Sequence, residues 1–177
     1  MTRRRLFQWS AAGVGLIAIT AMIDPLPRLM WNATASVPTG LYALHPGGSR
    51  RPGELVAVAP PEPLASYLAA GGYLPKGVPL LKHVAAMPGQ RVCRAGGAIL
   101  IDGRLAGQAR QHDRRGRPLP VWTGCRTLAA GELFLMNTAA PDSLDGRYFG
   151  PLPASSVLGR ATPLWTDPPR ELGAADG

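Results

Sequence analysis

Hydrophobic and polar positions divide this chain into one long apolar run followed by many short ones. Leu6 to Ile23 carries no charge over 18 residues. As a helix it would span about 27 Å, close to the hydrocarbon thickness of a bilayer. Arg3, Arg4 and Arg5 precede it and Asp24-Pro25 ends it. The positive-inside rule then keeps the N-terminus in the cytoplasm and sends the remainder across. A cleaved secretory signal shares the basic start and the apolar centre. However, no A-x-A site follows at the right distance and the run is long for a signal, so an anchor over residues 1–24 is expected. Either reading puts the main domain outside the cytoplasm.

After the anchor the pattern changes to period two. Pro25 to Trp31 reads as a connector, and Gly40 to Leu44 and Glu54 to Ala59 as strands. Pro61 to Ala70 has helical spacing and stops at Gly71-Gly72. Leu80 to Met87 predicts a strand ending at Pro88-Gly89. Arg91 to Arg94 and Ala98 to Asp102 predict a hairpin over Gly96-Gly97, with a second turn at Asp102-Gly103. Leu119 to Trp122, Glu132 to Asn137 and Val157 to Trp165 supply further strands, and Arg110 to Arg117 a basic loop. The expectation is a mainly β domain over residues 25–166 and a poorly ordered tail over 167–177.

Composition agrees: 19 prolines and 22 glycines in 177 residues favour turns over long helices. The net charge of +8 comes from arginine, because Lys76 and Lys82 are the only lysines. A nucleic-acid partner is not expected: no aromatic residues interleave with the arginines of R-Q-H-D-R-R-G-R, and the domain lies outside the cytoplasm. Such a loop reads as a solvated surface that also favours anionic lipid headgroups. No H-E-x-x-H or paired C-x-x-C is present, so neither a metal nor another cofactor is expected. His45, His83 and His112 lie in no hydrolase motif, and G-x-S-x-G is absent, which leaves little for a Ser-His-Asp triad. Cys93 and Cys125 are open to two readings, a disulfide in an oxidising compartment or two unpaired core residues.

The chemistry sits in three short segments. Ser36 lies in N-A-T-A-S-V-P-T-G-L-Y, where Pro38 stiffens the backbone beside it. Lys82 lies in L-L-K-H-V-A-A-M-P-G-Q-R-V, with apolar neighbours that would desolvate an amine, whereas Lys76 occupies an open Pro-Lys-Gly turn. Serine is a poor nucleophile until a base takes its proton, and lysine is a base only when burial lowers its pKa. Alternation along the strand puts His83 on the face opposite Lys82, which argues against His83 sharing the catalytic cleft. The third segment is S-L-D-G-R-Y-F-G-P-L-P, from Ser143 to Pro153.

These segments resemble the signal peptidase I superfamily of membrane-anchored Ser-Lys peptidases, most closely its TraF-type conjugal transfer branch. Housekeeping members read S-M-x-P-T, whereas Val37 and then Gly40-Leu41-Tyr42 stand here. The resemblance implies a signal-peptidase-like β-domain behind one N-terminal transmembrane helix in the bacterial inner membrane, facing the periplasm. It implies Ser36 as nucleophile, Lys82 as general base, and Thr34 with the Ser36 N–H as oxyanion donors. Ser143 would orient the lysine, Asp145 and Arg147 would brace the site, and in the TraF branch Asp145 would also take a catalytic part. The implied substrate is an exported precursor, foremost a conjugative prepilin, cut through an acyl-enzyme and in some members cyclised. Membrane lipids and other channel proteins are the further partners it implies. A general signal peptidase and a non-catalytic component of the channel are the alternatives. Two departures, Met136-Asn137-Thr138 in place of G-D-N and Gln90 in place of an aspartate, put supporting contacts in question rather than the dyad.

Overall fold

Short strands bounded by Gly and Pro pair into two sheets in the computed structural model, which describes residues 3–22 and 28–168. Helix α1 (Arg3–Met22) comes first. No helix among the described residues is long and apolar enough to cross a membrane. Helix α1 covers most of the run read as an anchor without meeting that condition, while Ile23 to Pro27 and the tail from residue 169 lie outside the described residues.

The strands in chain order are β1 (Leu29–Asn32), β2 (Gly40–His45), β3 (Leu55–Val58), β4 (Leu80–Ala86), β5 (Arg91–Ala95) and β6 (Ala98–Ile101). They continue as β7 (Arg104–Gln108), β8 (Gly124–Thr127), β9 (Glu132–Leu135), β10 (Leu152–Pro153) and β11 (Val157–Thr166). Helix α2 (Glu62–Ala70) follows β3, and the single turn α3 (Gly146–Phe149) precedes β10. The larger sheet has seven strands in the order β1-β2-β11-β3-β4-β9-β10, and the smaller has four in the order β7-β6-β5-β8. Ala86, Val92, Ile99, Phe134 and Met136 pack together across strands of both sheets, so one core joins them.

Alternation accounts for β2, where Gly40, Tyr42 and Leu44 point inward. Strand β4 is buried on both faces, as a central strand must be. Helix α2 buries Leu64 and Leu68 beside Leu74, as its spacing predicts.

Two readings need correction. The connector up to Trp31 contains β1, which is a strand because its four residues pair with β2 from Leu29↔Ala43 to Asn32↔Gly40. Leu119 to Trp122 is not a strand: Pro118 and Pro120 bring no N–H to a ladder, and Leu119 instead packs on Ala109 and Tyr148. The neighbouring strand is β8, wholly exposed and defined by pairing with β5. Cys93 and Cys125 face each other in that pair and form a disulfide, which settles the open alternative.

Candidate active site

The seven residues between β1 and β2 carry Ser36, and their neighbours hold them in one shape. Val37 turns into the core with Tyr42, Leu44 and Leu81. The Tyr42 hydroxyl donates to the Pro38 carbonyl at 2.6 Å, and burial raises its pKa. Gly40 has φ +141°, and a Cβ there would run into the Trp165 carbonyl oxygen and lie 2.6 Å from Thr166 Cα. The glycine of S-V-P-T-G-L-Y therefore has a packing reason: β11 passes directly over it. Ser36 itself is half-buried, and its N–H has no hydrogen-bond partner among the described residues.

Lys82 is buried in the middle of β4 and donates from Nζ to Ser143 Oγ at 2.8 Å. Burial lowers its pKa to about 8; the Asp145 charge opposes that shift and Arg147 adds to it. Asn137 clamps the strand on both sides of the lysine: Nδ2 donates to Leu81 O at 3.1 Å, and Oδ1 accepts from His83 N at 3.1 Å.

Asp145 and Arg147 form a buried ion pair at 2.8 Å, and Asp145 Oδ1 also accepts from Arg147 Nε at 2.9 Å. The Arg147 guanidinium reaches the carbonyls of Ala140 at 2.7 Å and Ser143 at 3.2 Å, so it shapes the loop that presents Ser143. Asp145 Oδ2 also accepts from Asn137 N at 3.0 Å. Among the described residues no hydrogen bond joins Asp145 to Ser36 or Lys82, so its reach to the lysine is through charge.

Ser36 and Lys82 are not hydrogen-bonded to each other in this structure. Ser36 Oγ lies 3.2 Å from Thr34 Oγ1, which in turn donates to Asn32 Oδ1 at 2.8 Å. The serine borders a cleft of about 420 Å³ whose walls include His83, Ala85, Ile101, Ala106 and Met136. The apolar side chains in that wall suit a small apolar substrate group.

His83 borders this cleft beside Ser36, whereas Lys82 does not line it. Alternation does separate His83 from Lys82. The Ser36 turn, however, packs through Val37 on Leu81, which shares His83's face of β4, so the cleft opens on that side. Asn137 occupies the first questioned supporting position, and there it makes the contacts that brace Lys82. Gln90 keeps the second, accepting from Met87 N at 2.9 Å and donating to Asp102 at 2.7 Å. Asn32 was missed as a site residue. The one signal in the sequence was a buriable amide four positions before the serine.

A mainly β domain with a half-buried serine beside a cleft and a buried, hydrogen-bonded lysine defines a class in which a lysine amine can serve as base. Residues 3–165 match the family model described as signal peptidase, peptidase S26, and the chain belongs to that family, whose members are serine peptidases of the signal peptidase type. It is similar to the conjugal transfer protein TraF of Agrobacterium fabrum (strain C58 / ATCC 33970), at 39% identity over 96% of this chain and 100% of that one. It is also similar to a plasmid transfer protein TraF of Escherichia coli, at 30% identity over 92% of this chain and 97% of that one. The solved signal peptidase I of Enterococcus faecalis V583 overlaps 65% of this chain and 98% of its own at 18% identity and a TM-score of 0.40, too loosely to carry the assignment.

Proposed function

We propose that this protein is a membrane-anchored serine endopeptidase of conjugation that matures an exported pilin precursor through Ser36 and Lys82. The observation that carries the reading is the buried Lys82 amine, with a pKa lowered to about 8, on the strand against which the Ser36 turn packs. The neutral amine takes the proton of Ser36 Oγ as that oxygen attacks the scissile carbonyl carbon. The oxyanion falls to the free Ser36 N–H; the Thr34 hydroxyl, implied as a second donor, gives its hydrogen to Asn32 Oδ1 instead. The C–N bond then breaks, Lys82 gives its proton to the departing amine, and an ester to Ser36 remains. Water, deprotonated by Lys82, hydrolyses the ester; the amino terminus of the same substrate attacking in its place would release a ring. Proton transfer requires Ser36 Oγ to leave Thr34 and the Lys82 amine, held here on Ser143, to reach the edge of β4 where the serine lies, a rearrangement that falls to substrate binding. Asp145 positions rather than reacts.

Conjugation enters through the two TraF relatives, which match this chain over nearly its full length. A membrane setting is supported by Arg3 to Arg5 ahead of the apolar run and by exposed Trp31 and Trp165, whose rings lie 6.1 Å apart on the strands flanking β2. The test is mass spectrometry of a candidate pilin precursor co-expressed with the wild-type protein or with Ser36→Ala. A precursor shortened only by the wild type is expected, and a product lighter by one further water would mean cyclisation. Unchanged masses for every precursor and every generic signal peptide tried would overturn the reading; cleavage of generic signal peptides alone would make the protein a general signal peptidase.

A further inference from the structure

Asn32 ends β1, is buried, and satisfies its whole side chain within the turn that carries Ser36. Its Nδ2 donates to the carbonyls of Thr34 at 2.8 Å, Pro38 at 3.0 Å and Val37 at 3.2 Å. Its Oδ1 accepts from Thr34 N at 3.1 Å and from Thr34 Oγ1 at 2.8 Å. These partners settle which end of the amide is which, because carbonyls can only accept and a backbone N–H can only donate. The Thr34 hydroxyl hydrogen is thereby committed to Asn32. The 3.2 Å contact between Thr34 Oγ1 and Ser36 Oγ is then a hydrogen bond in which the serine donates.

From this geometry we infer that Asn32 is a positioning residue for the nucleophile, acting on Ser36 through Thr34 and through the Thr34 and Val37 carbonyls that flank the serine. Asn32 sets two things. It turns the Thr34 and Val37 carbonyls inward, which holds the backbone around the unpartnered Ser36 N–H. It also makes Thr34 Oγ1 an acceptor, which fixes where Ser36 Oγ rests before attack. Neither alanine, with no polar atoms, nor aspartate, whose two oxygens would face three carbonyls, can reproduce both. The inference rests on the proposed peptidase reading and adds a residue that neither touches substrate nor exchanges a proton with it.

The test uses the full chain and a peptide spanning the precursor site that the wild type cleaves, with kcat, KM and thermal unfolding measured for Asn32→Ala, Thr34→Val and the double variant. Asn32→Ala is expected to lower kcat by about 30-fold with KM within about threefold, the effect of one lost charge-organising hydrogen-bond set. The apparent pKa of the pH profile stays in place, because Lys82 is untouched. Thr34→Val lowers kcat in the same direction without lowering Tm, and Thr34→Ser, which keeps the hydroxyl, restores it. The double variant falls no more than about twofold below Asn32→Ala, because the two act in one chain. Losses that multiply in the double variant, an unchanged kcat in folded Asn32→Ala, or an unchanged kcat in Thr34→Val would each overturn the inference. If Asn32→Ala does not fold, Asn32→Gln, which keeps the amide but displaces it by one methylene, takes its place in the cycle with the same expected loss of kcat. A wild type that cleaves no precursor would instead remove the peptidase reading; an active wild type with indifferent variants would remove only the role of Asn32.

Discussion

At Lys82 the protein withholds water from an amine that water would keep charged. With the folded pKa near 8, kcat/KM should rise with pH through that value and level off above it, and a flat profile across the neutral range would exclude a lysine base. The same shift acts on stability with a definite sign. The folded chain binds fewer protons than the unfolded one between about pH 8 and the ordinary lysine range near 10, so stability rises with pH there. Below that window the folded state carries a buried ammonium. Lys82→Met should therefore abolish turnover yet raise Tm at pH 7 by a few degrees, roughly, with the gain fading above about pH 10. A Tm that falls equally at both pH values would contradict it. Asp145→Asn removes a charge that holds the lysine pKa up, so the kinetic pKa should move to lower pH. The same change strands buried Arg147, at a cost of about 3–5 kcal/mol readable by denaturant unfolding. Ser36 and Lys82 were legible because their signals are local: a motif, and one of only two lysines set among apolar residues. The lysine's partner was implied only by family resemblance, since Ser143 lies 61 positions away.

Elements deliver these side chains. Strand β4 places Lys82 and His83 on opposite faces as alternation demands, and the β1–β2 turn brings Ser36 to the His83 side. Gly40 is the point at which that turn meets β11. Gly40→Ala forces a Cβ into the Trp165 carbonyl at a φ that side chains avoid, so a loss of about 2 kcal/mol or more is expected, together with slower turnover. Unchanged unfolding in this variant would mean that β11 yields easily. The strands read from period two, β2, β3, β4, β9 and β11, held because each has a buried face. Strands β1 and β8 did not show because little of either is buried; pairing partners make them strands. Prolines at 118 and 120 had the opposite effect, since Leu119 is apolar and buried but the pairing beside it stops at the single bridge His112↔Pro118.

On the scale of the whole molecule, the small sheet closes the cleft with Ile101 and Ala106, and the Cys93–Cys125 bridge ties two of its strands. Replacing both cysteines by alanine should lower stability by about 3 kcal/mol, the usual effect of opening a loop of this size, while kcat stays near wild type, because neither cysteine lines the cleft. A loss of activity without a loss of stability would place the bridge in the site. The sequence by itself determined the β class, the basic and apolar N-terminal run, and the choice of Ser36 and Lys82 as candidates, because composition, short-range periodicity and local motifs carry that information. Tertiary structure alone decided that the cysteines meet and that the cleft opens on the His83 face. It alone decided that Asn137 braces the Lys82 strand from β9's end and that Asn32 holds the turn that carries Ser36. These are matters of which buried donor finds which acceptor once distant or folded-back segments are packed together, and no single segment contains both partners and the burial that makes the pairing necessary.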